Sequence, residues 1–204
     1  MLEDFLKYQA KTTPNPLGLE IDRANGSYIF DTQGKSYLDF IAGVSALPLG
    51  HSHPKVVNAL CSQIEKYMHV MVYGEFAQAP AVKLCKKLVG LLPKKHEVVY
   101  LTNSGTEAIE GALKLAKRVT GRSGLIAAQN SYHGSTHGAL SLMGYENQKK
   151  RYRPLLPGVR FIQFNNREDL DQIDQSTAAV LLESIQGGAG FILPKDNYLK
   201  KVKK

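Results

Sequence analysis

The chain has 204 residues, of which 43% are hydrophobic and 22% charged, and this is enough for one globular domain or for a larger and a smaller one. It contains no apolar run long enough to cross a bilayer, and its N-terminus lacks the basic-then-apolar order of a signal peptide. The net charge of +8 falls partly in KKRYR (149–153) and KKVKK (200–204), which indicates solvated surface because no nucleic-acid-binding motif accompanies it. Cys61 and Cys85 lack metal-ligand spacing, so we expect buried or half-buried thiols and a cytoplasmic location.

Residues 1–50 are interpreted as an N-terminal lobe of helix and strand. The stretch DFLKYQAK predicts a short helix, and GSYIFDTQGKSYLDF predicts a hairpin that turns at Gln33 and Gly34. Two amphipathic helices are expected next, over 54–68 and over 79–92.

From Glu97 onward the pattern is typical of an α/β domain. Four apolar runs, VVYLT, GLIAAQ, VRFIQF and AAVLLES, alternate with helical or irregular segments, which predicts a mostly parallel sheet covered by helices. Residues 51–204 are therefore expected to form the first part of a large domain. The final segment DNYLKKVKK starts a helix that leads to no further strand, so we expect the chain to be the front portion of a longer protein.

A long amphipathic helix is predicted to follow the small-polar turn NSGTEA. Ser104 and Glu107 have the spacing of a capping box, and Glu110 and Lys114 have the spacing of an i,i+4 ion pair. Gly121 is a suitable C-terminal stop.

The same turn has a second interpretation, as a binding site for an anion. Gly105 leaves the free amides of the helix start uncovered, and the positive end of the helix dipole favours a phosphate there. The turn lacks the lysine of a P-loop and the three spaced glycines of a dinucleotide site. From these residues alone, a plain helix cap and a phosphate cup both remain open.

Four blocks of the sequence together resemble the class III, or ω-amino-acid, aminotransferases, which are fold-type I enzymes that use pyridoxal phosphate. The resemblance runs from about Leu17 to the last residue and implies an α/β fold of that type, with a small N-terminal α+β lobe and the front part of a mostly parallel, helix-covered sheet. The blocks occur in the family's order and are GHSHPKV (50–56), NSGTEAIEGALKLAKR (103–118), SYHGSTHGALSLMG (131–144) and ESIQGGAG (183–190).

The resemblance implies a set of cofactor-binding residues. Tyr132 matches the aromatic residue that stacks on the cofactor ring in the family, and His133 is a candidate for the same wall, although a structural histidine fits the pattern equally well. Glu183 matches a glutamate that lies near the ring and its supporting residues. In the family the Ser-Gly-Thr turn receives the cofactor phosphate, and the residues that inherit this role are Ser104, Gly105 and Thr106.

The resemblance also implies residues that line the substrate mouth, and no metal site. The pair His51 and His53 looks like a metal pair, but in the family this segment is a turn ahead of a helix, so no metal is expected. The five residues assigned to the substrate mouth are Val44, Ser45, Tyr73, Ser135 and Gln186.

Two departures from the family pattern leave the substrate open. Ser135 stands where an arginine usually follows the aromatic-His-Gly block, and in acetylornithine-type members that arginine binds the substrate carboxylate. Gly188 stands where ornithine-type members carry a second glutamate that manages the charged ends of the substrate. Both differences count against assigning either substrate.

The family's Asp-Glu-Val-Gln block and its Schiff-base lysine are not found in the 204 residues, so no catalytic residue is assigned and this portion alone is expected to be inactive. The complete protein is expected to transfer an amino group from an amine or amino acid to a 2-oxo acid, as a homodimer with shared active sites and without nucleic acid or membrane partners. The alternatives are a non-catalytic cofactor-binding paralogue and another pyridoxal-phosphate reaction, such as aminomutase or racemase chemistry.

Overall fold

The computed structural model describes residues 1–71 and 74–203. The chain divides into two compact units, Met1–Ala77 and Gln78–Lys204. Each unit is described by itself below. The lobe boundary at residue 50 stays a prediction.

In its described residues, the first unit contains an antiparallel sheet and three helices. Its elements are α1 (Leu2–Tyr8), β1 (Ile21–Asn25), β2 (Tyr28–Asp31), β3 (Ser36–Leu38), α2 (Ala42–Ser45) and α3 (Pro54–Ile64). The predicted hairpin is confirmed as β2 and β3, and β1 adds a third strand in the order β1-β2-β3. Pro54 opens α3 as expected, since a helix start needs no N–H there.

The second unit is built on a parallel sheet of order β5-β4-β6. Its main elements are α4 (Ala79–Leu91), α5 (Gly105–Thr120), β4 (Gly124–Ala128), α6 (His137–Ser141), α7 (Glu146–Lys149), β5 (Val159–Ile162), β6 (Thr177–Leu181) and α8 (Tyr198–Val202). The predicted parallel sheet and its strands GLIAAQ, VRFIQF and AAVLLES are confirmed.

The core of the second unit is centred on β4, whose five residues are all buried. Leu125 and Ala127 on one face of this strand cluster with Leu113 of α5 and with Leu142. Each fully buried leucine contributes about 1.5–3 kcal/mol of hydrophobic stabilisation. This burial fixes α5 against the sheet.

The prediction of a strand at VVYLT is wrong. Residues 98–102 lie in no strand, and the side chains of Val98 and Tyr100 are 87% and 82% exposed. A β-prone segment becomes a strand only when a neighbour completes its hydrogen bonds, and none of the strands in the described part of the chain lies beside it.

The capping box of α5 is confirmed, with one difference. Ser104 Oγ accepts from the Glu107 N–H at 3.2 Å, whereas the Glu107 carboxylate accepts from the N–H of Asn103 at 2.8 Å, one residue before the N-cap. Gly121 ends the helix in the left-handed conformation, with its N–H bonded to Lys117 O at 2.9 Å. These contacts set where the helix begins and ends.

The prediction that residues 149–153 form solvated surface is wrong for Lys149. Lys149 is buried; its Nζ donates to Met143 O at 2.8 Å and lies 3.9 Å from the centroid of the Phe161 ring. Burial lowers the pKa of the Lys149 ammonium. Cys61 is exposed, contrary to expectation, and Cys85 is half-buried.

Among the described residues, no helix has the length and apolar character that a membrane span requires.

Among the described glycines of the second unit, Gly144 makes the closest approach to other backbone atoms, and this predicts the effect of Gly144→Ala. A Cβ at Gly144 would lie 2.2 Å from Asn130 N and 2.5 Å from Ser131 N, just after β4. We expect the free energy of unfolding to fall by about 2 kcal/mol or more, because backbone atoms cannot give way as a flexible side chain does. Urea denaturation of the whole protein measures it.

Gly90→Ala is the matched control for this experiment. A Cβ at Gly90 meets no described atom within 4 Å, and alanine suits a helical residue near the end of α4, so this variant should be as stable as the wild type or slightly more stable. A Gly144→Ala variant with wild-type stability would contradict the packing described here.

Candidate functional site

The predicted site residues of the second unit gather where its parallel strands end. Tyr132 and His133 follow β4, and Glu183 lies two residues beyond the end of β6. The turn 104–106 forms the start of α5. The carboxyl ends of parallel strands are where α/β proteins bind ligands.

Three hydrogen-bond donors at the start of α5 are free to bind a ligand. The Ser104 oxygen accepts from the Glu107 N–H, which leaves the Ser104 O–H able to donate. Within the described residues, the amides of Gly105 and Thr106 have no acceptor. A Cβ at Gly105 would project into space with no described atom within 4 Å. These donors, at the positive end of a helix dipole, fit a phosphate group.

The segment after β4 lies directly against this turn. Thr136 Oγ1 is 3.0 Å from Thr106 Oγ1. Gly134 has a φ of +127° and approaches so closely that a Cβ there would lie 2.1 Å from Thr106 Oγ1. The segment carries Tyr132, whose side chain is 52% exposed and whose hydroxyl lies 3.3 Å from Ser135 Oγ. The segment that carries this ring therefore lies beside the start of α5.

Glu183 connects two loops at this edge of the sheet. Its Oε2 accepts from the Tyr132 N–H at 3.3 Å, and its Oε1 accepts from the Gly187 N–H at 3.2 Å. Both carboxylate oxygens are therefore engaged with backbone amides, and the side chain braces the segment that carries the aromatic ring.

Gln186 is an interior residue. Its side chain is 1% exposed, and its Nε2 donates to Gln129 O at 2.8 Å. Its backbone pairs with Ile192, which closes the 187–191 loop. The structure thus gives Gln186 a bracing contact, and its role at a substrate mouth stays a prediction.

Gly188, where the family pattern expects a glutamate, leaves a gap beside two tyrosines. A Cβ at this position would lie 3.4 Å from the Tyr145 hydroxyl and 3.8 Å from Tyr132 Cβ. The Tyr145 hydroxyl is buried and has no hydrogen-bond partner in the part of the chain that the structure describes. A side chain at 188 would therefore border Tyr132.

The predicted ion pair between Glu110 and Lys114 is wrong, and Glu110 instead makes contacts that sequence reasoning missed. Its Oε1 accepts from the Ala139 N–H at 3.0 Å and from the Thr136 hydroxyl at 2.5 Å. The partners lie 29 and 26 residues along the chain, so no local spacing signals them. The same holds for the approach of Gly134 to α5.

Two predicted substrate-lining residues belong to the first unit. Val44 and Ser45 lie in α2 with φ of +58° and +66°, a strained conformation for a β-branched residue. Asp39 holds this turn, because its Oδ1 accepts from the Ala42 N–H at 3.0 Å and its Oδ2 lies 2.7 Å from His51 Nε2. These contacts, that of Ala42 foremost, hold the pKa of the Asp39 carboxyl below its usual range.

The roles of Val44 and Ser45 stay predictions. Tyr73, the third residue assigned there, lies outside the described residues.

Among the predicted site residues that the structure describes, His133 is the one with a strongly shifted pKa. Its side chain is 9% exposed, and its Nε2 has no hydrogen-bond partner among the described residues. Burial lowers the pKa of His133 to about 4. The imidazole is therefore neutral at physiological pH.

The buried imidazole predicts a pH dependence of stability. The pKa of His133 is about 4 in the folded chain and near its ordinary value of 6.5 in the unfolded chain, so the unfolded state takes up the proton first on acidification. The free energy of unfolding should fall as the pH drops from about 6.5 to about 4. In His133→Phe this part of the fall in the free energy of unfolding should be absent. Urea denaturation at several pH values tests this.

His96→Gln, which removes an exposed histidine of the same unit, serves as the control and should keep the wild-type pH dependence. An unchanged pH dependence in His133→Phe would contradict the lowered pKa of His133.

Comparison with known proteins identifies the family. The family described as aminotransferase class-III matches residues 8–204. The LysW-aminoadipate semialdehyde/glutamate semialdehyde transaminase of Sulfurisphaera tokodaii is 38% identical over 186 residues, which cover 91% of this chain and 48% of the relative. The acetylornithine aminotransferase of Methanothermobacter thermautotrophicus is 38% identical over 184 residues, with coverage of 89% and 46%. The chain thus spans about half the length of these curated relatives.

Solved structures agree with the sequence relatives. The ornithine aminotransferase from Toxoplasma gondii superposes with a TM-score of 0.85 at 31% identity, covering 100% of this chain and 50% of that one. The adenosylmethionine-8-amino-7-oxononanoate aminotransferase from Methanocaldococcus jannaschii gives a TM-score of 0.88 at 29% identity, with coverage of 98% and 50%. The expected fold-type I architecture is confirmed, and the chain belongs to the class III aminotransferases.

Proposed function

We propose that the whole protein that contains these residues transfers an amino group from an amine or amino acid to a 2-oxo acid, with pyridoxal phosphate bound at the start of α5. The observation that carries this proposal is the trio of free donors at that helix start, the Ser104 hydroxyl and the amides of Gly105 and Thr106. Membership of the family supports it. A structure of the ornithine aminotransferase from Toxoplasma gondii has partial occupancy of PLP at its active site.

The residues present fit the phosphate and the ring of this cofactor. The three donors and the helix dipole would hold the dianionic phosphate, and the exposed ring of Tyr132 would offer a flat face to the cofactor ring. The Glu183 carboxylate holds Tyr132 by accepting from the Tyr132 backbone N–H, and the neutral imidazole of His133 would line the same side of the site. When bound, pyridoxal phosphate supplies an electron sink for negative charge at the substrate carbon.

The substrate is proposed only as a class. Ser135 offers a hydroxyl where acetylornithine-type members offer a guanidinium, so it cannot form a bidentate bond to a substrate carboxylate. Val44, Ser45, Tyr73 and Gln186 are proposed to line the substrate mouth, as the family resemblance implies.

We also propose a cytoplasmic homodimer whose active sites use residues from both subunits, with a lobe boundary near residue 50. Several large apolar side chains of the first unit are exposed, among them Phe40 at 90% and Met68 at 81%, and a subunit contact would cover such residues.

A panel of amino donors tests the function. The whole protein, supplied with pyridoxal phosphate and a 2-oxo acid, is mixed with ω-amines, ω-amino acids or α-amino acids, and the new amino acid is measured. We expect amino transfer with ping-pong kinetics from at least one donor class. A protein that retains the cofactor but transfers no amino group would contradict the proposal, and a product formed without a 2-oxo acid would indicate an aminomutase or racemase.

Gly105→Leu tests the phosphate cup separately. A Cβ at Gly105 meets no described atom within 4 Å. A leucine there would compete with an anion for the space around the free amides, so it should weaken pyridoxal phosphate and inorganic phosphate binding by about tenfold or more, since charged hydrogen bonds contribute about 1.5–3 kcal/mol each. Stability without ligand should change little. Titration calorimetry measures the affinities.

Gly90→Leu is the matched control, because a Cβ at Gly90 also meets open space and belongs to a different helix, α4. Unchanged affinity in Gly105→Leu would show that the anion binds elsewhere.

A further inference from the structure

Glu110 holds a short helix that cannot cap itself. The N-cap of α6 is Thr136, which makes no capping bond from its own side chain. The Glu110 carboxylate, projecting from α5, accepts the Ala139 N–H at 3.0 Å instead. Four of the five residues of α6 are buried, so this bond fixes a helix that is packed into the unit. Glu110 thus ties α6 to α5.

Two glycines make this contact possible. A Cβ at Gly138 would lie 2.1 Å from Glu110 Oε2, and a Cβ at Gly134 would lie 2.1 Å from Thr106 Oγ1. Both glycines belong to the segment 134–139 that follows Tyr132. At Gly134 the segment therefore approaches α5 more closely than a residue with a side chain would allow.

The carboxylate also sets the direction of a hydrogen-bond chain. An ionised carboxylate only accepts, so the Thr136 hydroxyl must donate to Glu110 Oε1 at 2.5 Å. The Thr136 oxygen can then accept from the Thr106 hydroxyl, 3.0 Å away. The Thr106 proton consequently points toward Thr136 and is not available to an anion in the cup. Thr106 keeps only its amide for that purpose.

We propose that Glu110 is a positioning residue that holds segment 134–139, and with it Tyr132, against the cup and turns the Thr106 hydroxyl away from the bound phosphate. This rests on the proposed cofactor site. Inorganic phosphate needs only the donors on α5, whereas the cofactor ring also needs Tyr132 in place. Glu110 therefore acts on the binding of the ring and not on the binding of the phosphate.

The experiment compares inorganic phosphate with pyridoxal phosphate on the whole protein, by calorimetry and by the induced circular dichroism of the bound cofactor. In Glu110→Ala we expect phosphate affinity within about threefold of wild type, pyridoxal phosphate affinity about tenfold weaker, and a reduced dichroic signal. Glu110→Gln should retain both, because one oxygen, Oε1, accepts both bonds and the amide keeps it. Lys114→Ala, one turn further along α5, is the control and should match the wild type.

The direction of the hydrogen-bond chain is tested by a substitution at Thr106. Thr106→Val should leave phosphate affinity within about threefold of wild type, whereas a hydroxyl that donated to the phosphate would make the loss about tenfold or more. That larger loss, or an equal loss of both ligands in Glu110→Ala, would overturn the proposal.

Failure of the cofactor assignment is distinguishable from failure of this inference. If the wild type binds neither ligand, the proposed function fails, and hydrogen exchange of 134–140 still tests Glu110. Exchange there should accelerate in Glu110→Ala and not in Lys114→Ala, and unchanged exchange would overturn the positioning role.

Discussion

The central strand β4 must be covered on both faces and paired on both edges, and the second unit is arranged around that requirement. β5 and β6 complete its hydrogen bonds, and both run parallel to it. The loops after the strands consequently leave from one edge of the sheet. This is why Tyr132 and Glu183, 51 residues apart, come within hydrogen-bond distance.

At that edge, where the strands have ended, carboxylates accept the hydrogen bonds of the loop amides. Loop amides that are removed from water need acceptors, and the sheet cannot provide them beyond its last residues. Glu183 supplies acceptors for Tyr132 and Gly187, and Glu110 supplies one for Ala139. A site held in this way keeps its form before a ligand arrives, which reduces the entropy lost on binding.

The features that follow from local spacing could be predicted from the sequence. The capping box at Ser104 depends on a residue three positions away, and the strand around Leu125 is signalled by a continuous apolar run; both are confirmed. The segment at Val98 could not be assigned correctly, because a strand exists only beside another strand. The contacts of Glu110 and Gly134 were missed because both depend on how α5 meets a segment more than twenty residues later.

The close packing of Gly134 and Gly138 against α5 has a consequence for protein engineering. Both glycines are buried, whereas Ser135 and His137 between them are exposed. The segment therefore offers variable positions on a fixed backbone, in the manner of a binding loop whose framework residues are invariant. Variants at Ser135, whose hydroxyl lies 3.3 Å from that of Tyr132, would change the surface beside the ring while the backbone stays fixed. A residue other than glycine at 134 would instead meet Thr106 from a backbone with φ of +127° and displace the whole segment.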